Sequence, residues 1–158
     1  MLLTRDAMQS MVARQQGHIV NIGSLAGYVG VGWNAAYSTT KTSVMMLSSA
    51  LRAELAGTPI GCSMVAPGYT DTGTGGFEAI KQSGVKLSPL AGISPPEKVA
   101  RAVVTAIRTN APEIIVNPTP LRPLLALNRV APSLGERLTA RLGANDVFRE
   151  IAIQRARA

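Results

Sequence analysis

Tyr37 and Lys41 lie four residues apart in a stretch whose apolar residues recur at helical spacing. On a helix, this spacing places both side chains on one face, roughly 6 Å apart, so that both can reach one ligand. A phenol with a reference pKa of about 10 is a weak base at neutral pH, but a neighbouring ammonium favours the phenolate and lowers that pKa. The pair can therefore transfer a proton, although two ordinary residues on a helix surface would show the same short pattern.

Ser24 follows a short run rich in β-branched residues, 18–22, which lies between two glycines and is typical of a buried strand in a parallel sheet. This position predicts that Ser24 lies at the carboxyl end of the sheet, where α/β folds bind ligands. If the next helix returns across the sheet, Ser24, Tyr37 and Lys41 converge on one small carbonyl or hydroxyl group. A hydroxyl and a phenol can polarise a carbonyl oxygen together. The alternative is that Ser24 is simply the turn residue after a strand.

The elements that must position these residues alternate between helix and strand. Three helices are predicted by periodicity and end signals: 2–16, ended by Gly17; 34–55; and one opened by a capping box at Ser94-Pro95-Pro96-Glu97 that runs to about residue 110. Three strands are predicted as short apolar runs bounded by turn residues: 18–22, 60–65 and 113–117. The alternation favours an α/β fold with a parallel sheet.

Two further segments carry no strand signal. Residues 69–94 contain several glycines and predict a long mobile loop with a short helix over 77–82. The chain beyond residue 117 predicts two or three basic amphipathic helices, separated near Pro132 and Gly143.

Composition excludes several classes of protein. The 158 residues, of which 46% are hydrophobic and 16% charged, fit one domain with an apolar core. Cys62 is the single cysteine and His18 the single histidine, so we expect no internal disulfide and no metal site. No apolar run reaches the roughly 18 residues of a membrane span, and the amino end has no secretory pattern. We therefore expect a cytoplasmic protein.

The net charge of +7 is concentrated near the carboxyl end. From Leu121 onward there are seven arginines and three acidic residues, which accounts for +4 of the excess. A solvated helix face explains this pattern, and an anionic surface is the alternative partner. Nucleic-acid binding is not expected, because aromatic residues for base stacking make up only 4% of the chain.

Four motifs occur in one register: GHIVNIGSLAG at 17–27, AAYSTTK at 35–41, SALRAEL at 49–55 and VAPGYTDT at 65–72. In order and spacing they resemble the catalytic half of the short-chain dehydrogenase/reductase family. The resemblance covers about residues 1–117, and residues 118–158 resemble variable carboxyl-terminal extensions. It implies a partial doubly wound, Rossmann-like parallel sheet with a helical extension. The implied function is oxidoreduction between an alcohol and a carbonyl, with NAD or NADP as cofactor.

The resemblance also assigns roles to individual residues. Ser24 would hydrogen-bond the substrate oxygen, Tyr37 would exchange the proton, and Lys41 would hold the nicotinamide ribose and lower the tyrosine pKa. The segment along the nicotinamide and its phosphate would comprise Pro67, Gly68, Thr70 and Thr72. Residues 69–94 would cover a partly apolar substrate, and helices 2–16 and 34–55 would form a homo-oligomer interface.

One family feature is missing from the sequence. No G-x-x-x-G-x-G turn for the cofactor pyrophosphate lies upstream of Ser24, which only 23 residues precede. We therefore expect a truncated form, whose first strand has a bare edge and which self-associates and can be inactive alone. The residue that distinguishes NAD from NADP in this family would lie in the missing half, so the sequence assigns neither the cofactor nor the substrate.

Two other classes of function correspond to parts of the sequence. A serine hydrolase is excluded by geometry, because the turn around Ser24 is not G-x-S-x-G and His18 lies about 20 Å away along the same strand. A non-catalytic remnant that acts as an interaction or membrane-surface module stays open, because the tail interleaves leucines with arginines and could lie in a membrane interface.

Overall fold

The computed structural model describes residues 2–73, 76–88 and 91–157. The helices within these residues are α1 (Leu2–Ala13), α2 (Ala35–Glu54), α3 (Gly76–Ser83), α4 (Pro96–Thr109), α5 (Arg122–Val130), α6 (Pro132–Arg141) and α7 (Asp146–Arg157). The strands are β1 (Gly17–Ile22), β2 (Ile60–Pro67), β3 (Tyr69–Thr70), β4 (Ile93–Ser94) and β5 (Glu113–Val116). A short 3-10 helix, Leu25–Gly27, follows β1.

The main sheet is parallel and has the order β1-β2-β5. β1 pairs with β2 from Gly17–Ile60 to Ile22–Val65, and β2 pairs with β5 from Met64–Glu113 to Pro67–Val116. β2 is central and largely buried, whereas β1 forms an edge among the described strands. The predicted parallel α/β fold is therefore confirmed, together with the helical segment that follows it.

Alternation along the central strand separates two helical layers. Cys62 packs with Leu55, and Met64 and Ala66 pack with Met45, so the even residues of β2 face α2. Val65 packs with Ala102 and Ala106, so the odd face is covered by α4. Because successive side chains point to opposite faces of a strand, these two clusters show that the sheet is sandwiched between α2 and α4.

The boundaries of two predicted helices were wrong. α1 ends at Ala13, and Gln15 rather than Gly17 takes the left-handed conformation, with φ = 53°. Gly17 instead opens β1, at a place where a Cβ would collide with the Met11 side chain. The capping box at 94–97 does not form either: Pro95 occupies the N-cap position, and Ser94 is fully buried in β4, paired with Thr70.

The fully buried residues of α2 are not its leucines. Its buried residues are Ser38, Met45 and Ser48, whereas Leu47 and Leu51 are only partly buried. Ser48 donates to the Val44 carbonyl and accepts from the Asn21 amide, so its hydroxyl is satisfied in the interior. The small side chain of Ser48 lets the helix approach β1 closely enough to form this bond.

The tail, for which two or three helices were predicted, forms three: α5, α6 and α7. α5 and α6 pack against each other, and the exposed apolar side chains of this pair are Val130, Leu134 and Leu138. α7 packs against α3 through Val147, which is 1% exposed, and through Phe77 and Ile80. The segment 69–94 is therefore held by the tail; its residues 74–75 and 89–90 lie outside the described part. No described helix has the length and apolarity to cross a bilayer.

A polar network joins the amino ends of β1 and β2 to the turn before β5. His18 Nε2 lies 2.8 Å from Ser63 Oγ, and the Ser63 hydroxyl donates to the Ala111 carbonyl, so His18 is the donor to Ser63. Arg52 donates to the Cys62 carbonyl at 2.8 Å and to both oxygens of Asn110. Burial first, and then the Arg52 guanidinium, lower the pKa of His18.

We predict that acid destabilises the fold through His18. The unfolded chain, with a histidine pKa near 6.5, binds a proton more readily than the folded one. The contribution of neutral His18 to the free energy of unfolding is therefore fully present above that pH and is lost progressively as the pH drops below it. In His18→Gln this dependence should be lost. Urea denaturation at a series of pH values between about 7.5 and 5 measures it, and an unchanged slope in the variant would contradict the assignment.

Candidate active site

The turn after β1 places Ser24 at the carboxyl end of the sheet. The Gly23 N–H donates to the Val65 carbonyl at 2.8 Å, which extends the ladder by one residue. Ser24 is buried, and its Oγ accepts from the Ala26 N–H at 3.2 Å at the start of the 3-10 helix. This contact uses a lone pair of Oγ, so the hydroxyl hydrogen remains available to a substrate oxygen.

The same turn rests directly on α2. A Cβ on Gly27 would come within 3.0 Å of the Lys41 backbone carbon and 2.5 Å of Met45 Sδ. The Thr42 hydroxyl donates to the Gly27 carbonyl at 3.0 Å. The turn that carries Ser24 is therefore fixed against the middle of the helix that carries Tyr37 and Lys41.

Lys41 connects the helix to the end of the strand. Its ammonium donates to the Ile22 carbonyl at 3.0 Å and lies 5.6 Å from the centroid of the Tyr37 ring. Tyr37 stands in the first turn of α2 and is 42% exposed. No hydrogen bond joins the Ser24 and Tyr37 hydroxyls among the described residues. The structure thus brings Lys41 to Tyr37 and to the strand end beside Ser24, and leaves Tyr37 exposed to solvent.

The three tyrosines of the chain have different surroundings. Tyr69 is stacked on Phe148 at 6.4 Å and packs near Phe77, and burial raises its pKa to about 12. Burial and the neighbouring Glu113 raise the pKa of Tyr28. Tyr37, by contrast, is the exposed tyrosine, which solvent and a substrate can reach.

The predicted cofactor segment starts where β2 ends, at the same carboxyl end of the sheet as the turn after β1. Pro67 pairs with Val116, and the Gly68 N–H donates to the Val116 carbonyl at 2.9 Å. A Cβ on Gly68 would lie 3.0 Å from Leu25, the residue after Ser24, so Gly68 allows the serine turn to approach. Thr70 pairs with Ser94, and the Thr72 N–H donates to the Thr70 carbonyl at 3.1 Å.

These residues provide donors of the kind that the nicotinamide end of a dinucleotide needs. Lys41 keeps two N–H groups beyond the one donated to Ile22, and Thr72 is exposed beside the strand ends. Hydroxyl and ammonium donors suit ribose hydroxyls and a phosphate. The donor set therefore fits that end of the cofactor, whereas the chain contains no glycine-rich turn for the pyrophosphate.

Two residues near the site were missed by sequence reasoning. Asn145 Oδ1 accepts from the Gly32 N–H at 3.1 Å, and the Arg149 guanidinium lies 6.0 Å from the centroid of the Trp33 ring. Both come from the tail, more than 100 residues from the loop that they contact. No local pattern signals such pairs.

We predict that Gly27→Ala destabilises the protein by about 1–3 kcal/mol, because the added methyl group must displace the backbone of α2 or the Met45 side chain. The matched control is Gly30→Ala in the same loop, where a Cβ meets nothing within 4 Å, and which should change stability by less than about 1 kcal/mol. Urea denaturation of both variants is the measurement. Equal stabilities would show that the turn does not rest on α2.

Comparison with known proteins gives one consistent family. The family described as short chain dehydrogenase matches residues 1–82. The ketoacyl reductase HetN of Nostoc sp. is 40% identical over 99% of this chain and 55% of its own length. The 3-oxoacyl-[acyl-carrier-protein] reductase FabG of Aquifex aeolicus is 34% identical over 65% of this chain and 42% of its own length.

The fold gives the same result. The closed form of serine dehydrogenase complexed with NADP+ superposes with a TM-score of 0.59 and 28% identity, over 73% of this chain and 49% of that one. The chain thus spans about half the length of the proteins that it matches. On the family match, the relatives and the shared fold, this chain belongs to the short-chain dehydrogenase/reductase family.

Proposed function

We propose that residues 1–117 form the catalytic half of a short-chain dehydrogenase/reductase that interconverts an alcohol and a carbonyl with NAD or NADP, and that residues 118–158 are its carboxyl-terminal extension. The observation that carries the proposal is the position of Lys41. Its ammonium contacts both the Tyr37 ring face and the last carbonyl of β1, two residues before Ser24. The Ser24 hydroxyl as donor, the Tyr37 phenol as acid and the Lys41 ammonium as cation would then act at the carboxyl end of one sheet.

In this proposal each side chain acts on the substrate oxygen or next to it. The Ser24 hydroxyl donates a hydrogen bond to that oxygen and so polarises the carbonyl. Tyr37 gives the oxygen its proton during reduction and takes it back during oxidation. The Lys41 ammonium, close to the Tyr37 ring, compensates the negative charge that the tyrosine oxygen acquires when its proton is transferred.

The cofactor would be held at its nicotinamide end by Tyr37, Lys41, Pro67, Gly68, Thr70 and Thr72. A bound nicotinamide supplies the hydride for the carbonyl carbon in reduction and accepts it in oxidation. The solved structure of serine dehydrogenase contains NADP+, which supports a nicotinamide cofactor without deciding between NAD and NADP here. Residues for the pyrophosphate would come from outside this sequence.

The substrate class is proposed from the relatives. Two of them are ketoacyl reductases, and the 40% identity to HetN extends over 99% of this chain. The segment 69–94 carries the apolar residues Phe77, Ile80, Val85 and Leu87, which pack with Val147. We therefore propose a 3-oxoacyl thioester as substrate, reduced to the 3-hydroxyacyl product.

Tyr37→Phe should lower the rate of 3-oxoacyl thioester reduction by at least about 100-fold while leaving the fold intact, because Tyr37 is exposed and the phenol proton is lost. Oxidation of NADPH and of NADH is followed, with the chain alone and with the part of HetN that this chain does not match added as a separate polypeptide. The matched control, Tyr28→Phe, removes a buried hydroxyl from a residue that packs with Met45 and Met64, and should leave turnover close to that of the wild type. Full turnover in Tyr37→Phe would remove Tyr37 from its role.

A homo-oligomer interface is proposed on α1 and α2. A groove of about 740 Å³ between them is lined by apolar side chains that include Met8, Val12, Leu47 and Leu51. Leu2, Leu3, Val12 and Met46 are 50–86% exposed. Arg5 and Glu54 also line the groove, so a second copy related by a two-fold axis can place each charge opposite its complement.

Val12→Glu should therefore convert an oligomer into a smaller species, since it places a carboxylate in the middle of the proposed contact. Sedimentation velocity at tens of micromolar protein measures the change. The control is Val104→Glu on α4, where the native valine is equally exposed at 47% but lies away from the groove. A monomeric wild-type protein would contradict the proposal.

A further inference from the structure

α7 lies between two segments that flank the candidate site. On one side it contacts the segment 69–94: Val147 is buried with Phe77 and Ile80, and Phe148 stacks on Tyr69. On the other side it contacts the loop between the Ser24 turn and α2, through Asn145 at Gly32 and Arg149 at Trp33. The tail helix therefore holds the substrate-side segment and the entry to the Tyr37 helix together.

The Asn145 side chain bonds to the loop before α2 rather than to its own helix. Its carbonyl accepts from the Arg149 N–H at 3.1 Å, which places it at the amino-terminal cap of α7. An asparagine at this position usually turns its side-chain oxygen to the amides of the helix itself. Here that oxygen accepts from the Gly32 N–H at 3.1 Å. The bond is thus directed across the molecule, to the loop before Tyr37.

Trp33 is held in an unfavourable backbone conformation beside this bond. Its φ is 57°, in the left-handed region that bulky residues rarely adopt, and its side chain is 61% exposed. Such a conformation persists only where the surroundings hold it. The groups that hold it from the tail are Asn145, on the preceding residue, and the Arg149 guanidinium over the indole ring.

The conformation of this loop sets the start of α2. The Asn34 N–H donates to the Val31 carbonyl at 3.2 Å, and the Val31 N–H donates to the Ser38 hydroxyl at 3.1 Å. Ser38 is buried and is the neighbour of Tyr37 in the first helical turn. A change at Gly32 and Trp33 is therefore transmitted through Val31 and Asn34 to the turn that carries Tyr37.

We propose that Asn145 is a positioning residue for Tyr37, acting through the Gly32 N–H and the left-handed Trp33, with Arg149 in support. The tail helix is then part of the active site rather than a separate module. The proposal rests on the proposed function only for the chemical role of Tyr37. The contacts themselves are independent of that role.

The test uses the whole chain labelled with 3-fluorotyrosine. Its three tyrosines give three fluorine resonances, and the signal lost in Tyr37→Phe identifies Tyr37. In Asn145→Ala we expect the Tyr37 resonance to shift or broaden and that of Tyr28 to stay in place. Hydrogen exchange at the Gly32 amide should become about tenfold faster. Emission from Trp33, the single tryptophan, should change as well.

Two variants separate positioning from general damage to the fold. Asn145→Asp keeps an oxygen acceptor for the Gly32 N–H and should restore both the Gly32 protection and the Tyr37 resonance. Gln154→Ala, on the same helix, removes contacts to the Ser83 carbonyl and the Glu150 carboxylate, and should leave both unchanged. If Asn145→Ala does not fold, Arg149→Ala keeps the Gly32 bond and removes the stacking, and should shift Trp33 emission and the Tyr37 resonance together.

Some outcomes would overturn the inference. One is faster exchange at Gly32 with an unmoved Tyr37 resonance; another is failure of Asn145→Asp to restore either signal. Where turnover is measurable, Asn145→Ala should lower kcat at least tenfold with little change in KM. If Tyr37→Phe retains full turnover, the proposed function fails while the spectroscopic results still decide the position of Tyr37, so the two failures are distinguishable.

Discussion

The site depends on one contact, in which the Lys41 ammonium on α2 donates to the carbonyl of Ile22 at the end of β1. The last carbonyl of an edge strand has no ladder partner on its open side, and a charged donor satisfies it strongly. This bond holds α2 against the end of β1, at the carboxyl end of the sheet, where α/β folds bind their ligands. Lys41 thereby acquires a fixed position next to Tyr37, which a long flexible side chain would not otherwise have.

Close packing makes that contact geometrically available. The serine turn can rest on α2 because residue 27 is glycine, and the helix can approach β1 where its buried face carries the small residue Ser48, which bonds to Asn21. Each small polar group is satisfied within the interior, Ser48 by Asn21 and Val44, and Ser38 by Val31. Of the larger apolar residues of the helix, Leu47 and Leu51 line the groove with α1, whereas Met45 packs on the sheet.

The carboxyl-terminal segment is divided between two surroundings. Its last helix packs into the segment that follows β3, with Val147 almost fully buried. The α5 and α6 pair packs mainly on itself and leaves Val130 and Leu134 exposed beside its arginines. A single description of the tail as a basic extension therefore covers two different structures, one packed on the segment 69–94 and one at the surface.

The sequence by itself determined the three strands of the main sheet, the helices around them and the positions of Ser24, Tyr37 and Lys41 on their elements, but not β3 and β4 within 69–94. It could do so because these features depend on local periodicity, on glycine and proline at the boundaries, and on fixed spacing along one helix. Tertiary structure alone decided which face of α2 is buried and where Ser94 lies. It also decided that Gln15 rather than Gly17 is left-handed, and that Asn145 and Arg149 reach the loop before Tyr37. Each of these depends on a neighbour distant in sequence, such as Thr70 for Ser94 and Gly32 for Asn145, and a local pattern carries no record of such a neighbour.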